Sequence, residues 1–268
     1  MNIVVICGSH PRHIYVLNRL IETGLVVGIV LMKRESMIEP PLHNLSAHMK
    51  YLYERHFNLR AKMENSYFGN GDFSKISRSV PAIEVLSEKL NGNAVVEFIK
   101  KRNADCIFSY GPDLIHDNIL SMVNYNAFNL HGGLSPWYKG AATMFWPFYF
   151  LEPNYVGTTL HYITRKIDAG NIVHQTVPEL EKGDCMHEVA CKAIVAASED
   201  VCKVFTNMSH GKEYTGVEQK RNGKLFLNKD WRPEHLKLIY DVYEDRIVDM
   251  YLNKEINVGN EPKLIKVV

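Results

Sequence analysis

The sequence lacks an excess of either charge: 31 basic side chains face 30 acidic ones, a formal net charge of +1. No global field therefore recruits nucleic acid, and a contact with RNA or DNA would need a local patch. Long hydrophobic runs are missing as well. The longest fall well short of the roughly 20 residues that span a bilayer, so no membrane partner is expected. The opening run NIVVIC lacks a charged region before it and a small-residue cleavage site after it, so no signal peptide is expected and a cytoplasmic location is. Cysteine is scarce. The five (Cys7, Cys106, Cys185, Cys191 and Cys202) are odd in number and scattered, which reads as buried thiols in a reducing compartment. Cys185, His187 and Cys191 lie close together, but their spacing fits no common zinc pattern and no fourth ligand stands out, so no metal is expected. Internal repeats and low-complexity linkers are also lacking. What remains is a chain of 268 residues, 46% apolar and 23% charged: a soluble globular protein of one ordinary domain plus an appendage, or of two small domains.

Apolar runs and helical patterns alternate along the first half. Asn2 to Cys7 reads as a strand, Pro11 to Thr23 as a helix closed by Gly24, and Leu25 to Met32 as a strand. HMKYLYERHFNLRAKM reads as helical and FGNGDFS as a loop. Strands follow at Val80 to Val85, Asp105 to Tyr110 and Ala127 to Leu130, separated by helices at Asn93 to Arg102 and near Asp117 to Val123. Strands separated by helices predict an α/β fold, a doubly wound Rossmann-like sheet with ligands at the carboxyl ends of its strands. Further on, the pattern predicts a helix over Ala141 to Leu151, strands at Tyr155 to Ile163 and Ile172 to Val177, and a long helix to about Met208 with Asp184 as its N-cap. The catalytic domain is expected to span residues 1–208, and 209–268 to form a small extension. RNGK between alternating residues signals a hairpin within Tyr214 to Phe226. Pro233 opens a helix that HLKLIYDVYEDRIVDMYL continues to Leu252, with an apolar face that can pair two subunits or pack on its own domain.

Asn129 and His131 alternate with Leu130, so both side chains share one face at the end of a strand. The loop after them, HGGLSPWYKG, has the glycines and proline of a fixed backbone. Then come GTTLH and DAGNIVHQ, which carries Asp168 and Gly170. This ordered set resembles the N10-formyltetrahydrofolate-dependent formyltransferases, whose pattern of Asn-x-His, a Pro-containing loop ending in a basic residue and Gly, and Asp-x-Gly is matched at all three points. The resemblance covers roughly residues 80 to 205; the first 80 match only as a generic Rossmann-like start. It implies that Asn129 hydrogen-bonds the formyl oxygen, His131 moves a proton and stabilises the oxyanion, and Asp168 orients His131 or a relay water. Each residue type suits the reaction. An amine attacks the formyl carbon, negative charge develops on oxygen, and the leaving folate nitrogen takes a proton. A histidine titrates near neutrality and a nearby carboxylate favours its charged form. Ser135 is a turn residue here, since the substrate amine is the nucleophile.

The same resemblance places the pterin of the N10-formyltetrahydrofolate co-substrate against Tyr110, Gly111, Pro112, Asp113, Leu114 and Ile115, and against Thr164 to Ile167, including Arg165 and Ile167. By its composition alone, SYGPDLI reads equally as a helix-entry turn. On the acceptor side, Ser9, His10 and Arg12 follow the first strand and open a helix, where free N–H groups favour a phosphate; GSHPRH lacks the G-x-G-x-x-G fingerprint, and its histidines read equally as solvated first-turn residues. Lys139 contacts acceptor phosphate or faces water. Trp137 and Tyr138 stack on a base or sugar or, more commonly, pack the loop, and His161 reads as a structural or gate residue. His116, His174 and His187 have no evident partner. A near-neutral charge and a tail of about sixty residues argue against initiator tRNA as the acceptor, and GSHPRH does not match the phosphate loop of glycinamide ribonucleotide enzymes. The tail resembles the small dimerising additions of nucleotide-sugar formyltransferases, so the expected substrate is the amine of a nucleotide-linked amino sugar and the expected assembly a homodimer. Other amines, or water in a formyl hydrolase, are the alternatives, and a non-catalytic folate-binding protein is the reading from another class.

Overall fold

Ile3–Gly8 (β1) is buried along its whole length. Ile3, Val5 and Cys7 enter one apolar cluster and Val4 and Ile6 another, as an unbroken β-branched run dictates when both faces of a sheet are covered. The computed structural model describes residues 1–33, 44–73, 79–219, 223–256 and 259–268. In it β1 pairs in parallel with Val26–Lys33 (β2) and Cys106–Tyr110 (β4). Ala82–Leu86 (β3) extends the sheet beyond β2, and Ala127–His131 (β5) lies parallel beside β4. Thr158–Tyr162 (β7) and Ile172–Thr176 (β8) then add antiparallel. The order is β3-β2-β1-β4-β5-β7-β8, seven strands. The direction of winding reverses between β1 and β4, which opens a crevice at their carboxyl ends.

Helices Pro11–Ile21 (α1) and Met186–Ser209 (α6) cover one face through Ile14, Leu17, Ile194, Val201 and Phe205. Asn93–Lys100 (α3) and the single turn Asp117–Leu120 (α4) cover the other through Val95, Phe98, Ile119 and Leu120. The doubly wound expectation holds for this half. Ala47–Phe68 (α2) starts where the Ser46 hydroxyl accepts the Met49 N–H and stops at Gly69, whose φ is 69°. The expected loop FGNGDFS follows, and its last residue lies outside the described residues.

Three later expectations are corrected. The stretch Ala141 to Leu151 is helical only at Trp146–Tyr149 (α5), because Ala142 and Leu151 take left-handed φ values of 53° and 59° at its edges. The helix expected from Pro233 to Leu252 is broken into a turn at Pro233–His235, a wide turn at Leu238–Val242 and a helix at Ile247–Leu252 (α7). The break is at Glu244 and Asp245, with φ of 52° and 58°. It lets the Asp245 carboxylate accept the Met186 N–H at 3.1 Å, satisfying an open donor at the start of α6. Asp184 does not cap that helix. Its carboxylate accepts the Glu181 N–H at 2.9 Å and holds Lys192 at 2.8 Å, which leaves Cys185 at the cap position.

Among the described residues on either side of RNGK, the pairing found is to other parts of the chain. Val217 bridges to Ile172 of β8, and Lys224–Phe226 (β9) runs parallel to Tyr138–Gly140 (β6) in a separate two-stranded sheet. Residues 220–222, where the hairpin turn is expected, lie outside the described residues. A third apolar cluster joins Met49 and Leu52 of α2, Phe145 and Trp146, and Phe226, Leu236, Ile239, Tyr240, Ile247 and Val248. The apolar face of the last segment is thus covered by its own chain. At its centre the Tyr240 hydroxyl lies 3.0 Å from His56 Nδ1 and 3.4 Å from His187 Nε2, so His187 has a partner the sequence did not reveal. His174 has one too, Asp200 at 3.1 Å. No helix among the described residues is long and apolar enough to cross a membrane.

Candidate active site

Strand alternation sends Phe128 and Leu130 into the cluster beneath α6 and turns Asn129 and His131 to the opposite face. Pairing fixes their neighbours: Asn129 registers with Ser109 of β4 on one side and with His161 of β7 on the other. The Ser109 hydroxyl donates to Asn129 Oδ1 at 2.8 Å, and Asn129 Nδ2 stands 3.2 Å from His161 Nε2. Both ends of the amide are oriented, and its second N–H is left for the cavity in front.

Asp168 arrives on the loop after β7 in a left-handed conformation, φ 46°. One carboxylate oxygen lies 3.3 Å from His131 Nδ1 and accepts the Gly140 N–H at 2.9 Å; the other lies 3.5 Å from His161 Nε2. Gly170, two residues on, sits so close to the Tyr162 carbonyl that a Cβ would come within 1.8 Å of its oxygen. Only glycine fits the third position of Asp-x-Gly here. His131 Nε2 faces the Tyr138 carbonyl at 2.9 Å. The ring therefore meets an acceptor at each nitrogen, and only the protonated ring can donate to both.

Burial opposes charge at both members. It holds the His131 imidazole below its ordinary pKa, against the pull of Asp168 and the Tyr138 carbonyl, with His161 and Lys139 adding to the depression. Burial alone would raise the Asp168 carboxyl; His131, His161 and the Gly140 N–H outweigh it and bring it down to about 2. Asp168 is an anion and His131 is mostly neutral at neutral pH.

These groups open onto a cavity of about 400 Å³. Asn129, His161 and Asp168 are in its wall, and His131, 6% exposed, stands behind Asp168. Pro112, Asp113, Leu114 and Ile115 form one side and Thr164, Lys166 and Ile167 the other. Leu114 and Ile167 leave 49% and 56% of their surface exposed, an apolar pair suited to the faces of a flat ring. Three expected donor contacts point elsewhere. Tyr110 is buried with its ring edge-on to His13, centroids 4.6 Å apart, and Gly111 lies against the same ring. Arg165 extends into solvent, pairs with Asp117 and borders a second cavity of about 530 Å³.

On the acceptor side Ser9 is half-buried and His10 buried. Arg12 is held at 2.6 Å by Glu64, which also binds Arg60 at 2.8 Å. Burial raises the Glu64 carboxyl, but the two guanidinium groups prevail and set it at about 2. Lys139 follows Tyr138 on β6, half-buried. No group of three or more His, Cys, Asp or Glu side chains among the described residues is arranged to hold a metal.

Sequence reasoning missed part of the site. His161 touches Asn129 and Asp168, and its place opposite Asn129 is readable only from the antiparallel register of GTTLH on β5. Leu225, Phe226, Leu227 and Asn228 complete the cavity wall from the last part of the chain, and Gln219 bonds the loop of Asp168. No motif marks them.

The solved structures of similar shape include three of particular interest. Phosphoribosylglycinamide formyltransferase from Anaplasma phagocytophilum is 16% identical with a TM-score of 0.56, over 85% of this chain and 98% of that one. The formyltransferase PseJ from Anoxybacillus kamchatkensis, solved with UDP-4,6-dideoxy-4-formamido-L-AltNAc and tetrahydrofolate, is 22% identical with a TM-score of 0.52, over 82% and 95%. An N-formyltransferase from Helicobacter canadensis, solved with folinic acid and dTDP-3-aminofucose, is 17% identical with a TM-score of 0.52, over 87% and 73%. At these identities the likeness speaks for the fold. Residues 71–204 match the family described as formyl transferase, the stretch that runs from ahead of β3 into α6 and includes Asn129, His131 and Asp168. The chain belongs to the formyl transferase family and is a formyltransferase.

Proposed function

We propose that this enzyme transfers the formyl group of N10-formyltetrahydrofolate to the amine of a nucleotide-linked amino sugar. The observation that carries the reading is the convergence of Asn129 and Asp168, with His131 paired behind Asp168, on one cavity whose wall includes the apolar residues Leu114 and Ile167. The pterin lies between those two residues. The formyl oxygen faces the free N–H of Asn129, where negative charge develops as the amine adds to the formyl carbon. The amine's proton passes to Asp168 and His131, which lie within 3.3 Å of each other. The same pair returns it to N10 as the carbon–N10 bond breaks, so the net transfer is one formyl group one way and one proton the other. No charged nucleophile on the protein is used.

On the acceptor side, Ser9, His10, Arg12 and Lys139 receive the phosphates. Arg12 and Arg60 share the single carboxylate of Glu64, which leaves one net positive charge where α1 begins, suited to an anion. Support for a sugar acceptor comes from the ligands of the Anoxybacillus and Helicobacter enzymes. Residues 1–208 form the catalytic domain in this reading and 209–268 an extension. The test is formyl transfer from N10-formyltetrahydrofolate to a panel of UDP- and dTDP-linked amino sugars, glycinamide ribonucleotide, initiator tRNA and water. Product with an amino sugar above all others is expected; preferential formylation of glycinamide ribonucleotide or tRNA, or release to water alone, overturns the choice of acceptor.

A further inference from the structure

Asp168 depends on residues that lie beyond the matched stretch 71–204. Gln219 reaches back and donates from Nε2 to two carbonyls, Asp168 O at 2.8 Å and Gly170 O at 2.8 Å. Both amide hydrogens are used and both partners are acceptors only, so the amide can sit one way round. The turn it spans holds Asp168 at a φ of 46°, a conformation that costs an L residue energy unless its surroundings enforce it. Val217, two residues before, is tied to Ile172 by N–H to carbonyl bonds of 2.7 and 2.8 Å in both directions. The clamp is therefore anchored to β8 rather than hung from a loose strand.

The same part of the chain also steadies the groups on the other side of Asp168. β9 lies along β6, and Ala141 donates to the Phe226 carbonyl at 2.8 Å. The Tyr138 carbonyl that faces His131 and the Gly140 N–H that reaches Asp168 both belong to β6. Gly140 has φ 88°, and a Cβ there would come within 2.1 Å of the Phe226 oxygen, so only glycine fits against β9 at the residue that binds the carboxylate.

We propose that Gln219 is a positioning residue for formyl transfer: it clamps the Asp168–Gly170 turn and so fixes the carboxylate against His131 and the cavity. The role rests on the reading that Asp168 takes part in the reaction. Losing two hydrogen bonds that hold a catalytic group is expected to lower kcat by ten-fold or more with little change in the KM for N10-formyltetrahydrofolate, since no contact to the donor is removed. Gln219→Glu keeps the shape, removes both donors and sets an anion against two carbonyls and Asp168, so its loss is larger than that of Gln219→Ala.

The experiment compares wild type, Gln219→Ala, Gln219→Glu and Asp168→Asn by formyl release from N10-formyltetrahydrofolate, with each acceptor of the panel above and with water. The pH dependence of kcat and the circular dichroism melting curve of each variant are recorded alongside. A fall in kcat with a displaced pH profile, in a variant still folded at the assay temperature, supports the clamp. Wild-type kcat and an unchanged pH profile in both Gln219 variants, beside an inactive Asp168→Asn, overturn it, as does a loss fully accounted for by unfolding. A fully active Asp168→Asn, or a wild type that releases formyl groups to nothing, overturns the catalytic reading itself and the clamp with it.

Discussion

The side chains of Asn129 and His161 face each other across β5 and β7 at 3.2 Å. His161 Nδ1 lies 2.8 Å from the Tyr162 carbonyl and donates to it. Its Nε2 stands between the Asn129 amide at 3.2 Å and the Asp168 carboxylate at 3.5 Å. His161→Phe keeps a ring in the cavity wall and deletes the Nε2 that faces Asn129 and Asp168. It is expected to cost about one buried hydrogen bond, a fall in kcat on the order of ten-fold, with donor KM nearly constant. Steady-state kinetics decide it; wild-type kcat rules out a role for this contact.

Asn129→Ala removes the donor at the position of developing charge and is expected to lower kcat by roughly 10²–10³. Asn129→Asp, which retains the shape and adds an anion, is expected to be no better. A variant within a few-fold of wild type in a stopped assay of formyl transfer places the oxyanion elsewhere.

The pH dependence of the reaction is expected to follow His131 rather than Asp168. The carboxyl, at about 2, stays ionised through the working range, so any acid limb comes from the ring, which burial holds below its usual 6.5. Asp168 raises the His131 pKa. Asp168→Asn is therefore expected to move the limb of kcat/KM to lower pH in whatever activity remains. A limb that moves up instead contradicts the assignment.

Stability against acid is expected to be governed by the buried histidines under Tyr240. Burial, helped by Arg60, lowers His187 to about 3, and burial, His187 and Arg60 lower His56 well below 6.5. Both are depressed in the folded state, so their contribution is present above 6.5 and is lost as pH falls from there towards the folded values. Asp245 works in the opposite direction. Burial raises it to about 6 against the Met186 N–H and Arg55, so its contribution is present below its usual 3.8 and fades as pH rises through 6. Melting temperature is expected to fall on acidification from pH 7 to 4, and His187→Gln to flatten that slope. A steeper slope in the variant refutes the account.

Leu114 and Ile167 are half-exposed, so truncating them costs the fold little while uncovering the proposed ring site. Leu114→Ala with Ile167→Ala is expected to weaken tetrahydrofolate binding about ten-fold or more, from roughly 1–2 kcal/mol of lost apolar contact. Its melting temperature should stay close to that of wild type. Fluorescence titration measures the first and calorimetry the second; unchanged affinity moves the donor out of this cavity.

Much of the sheet was legible because its strands are short apolar runs bounded by turns, and the alternation at Asn129, Leu130 and His131 gave the orientation of two site residues directly. The antiparallel addition of β7 and β8 was not legible, since a strand's direction leaves no mark in its composition; with it His161 was missed. The helix expected after Pro233 shows the limit of periodicity. Its apolar spacing is real, as Ile239, Tyr240, Ile247 and Val248 are all buried, yet the backbone reverses at Asp245 to satisfy the start of α6. The strand after RNGK shows a second limit of local pattern. Phe226 is 2% exposed and its strand found a deeper partner in β6 than a neighbouring strand supplied. Arg12 reads as a phosphate contact, and its pairing with a glutamate from α2 leaves no mark in the sequence.

The pairing of β6 with β9 also orders events during synthesis. A ribosome finishes the sheet and α6 before it has made Lys224, so a nascent chain that already carries Asn129, His131 and Asp168 still has one wall of its cavity missing and β6 without its neighbour. Formyl transfer should therefore switch on late, when the last part of the chain threads back beside Tyr138, and a chain stalled before that point should fold around an idle site.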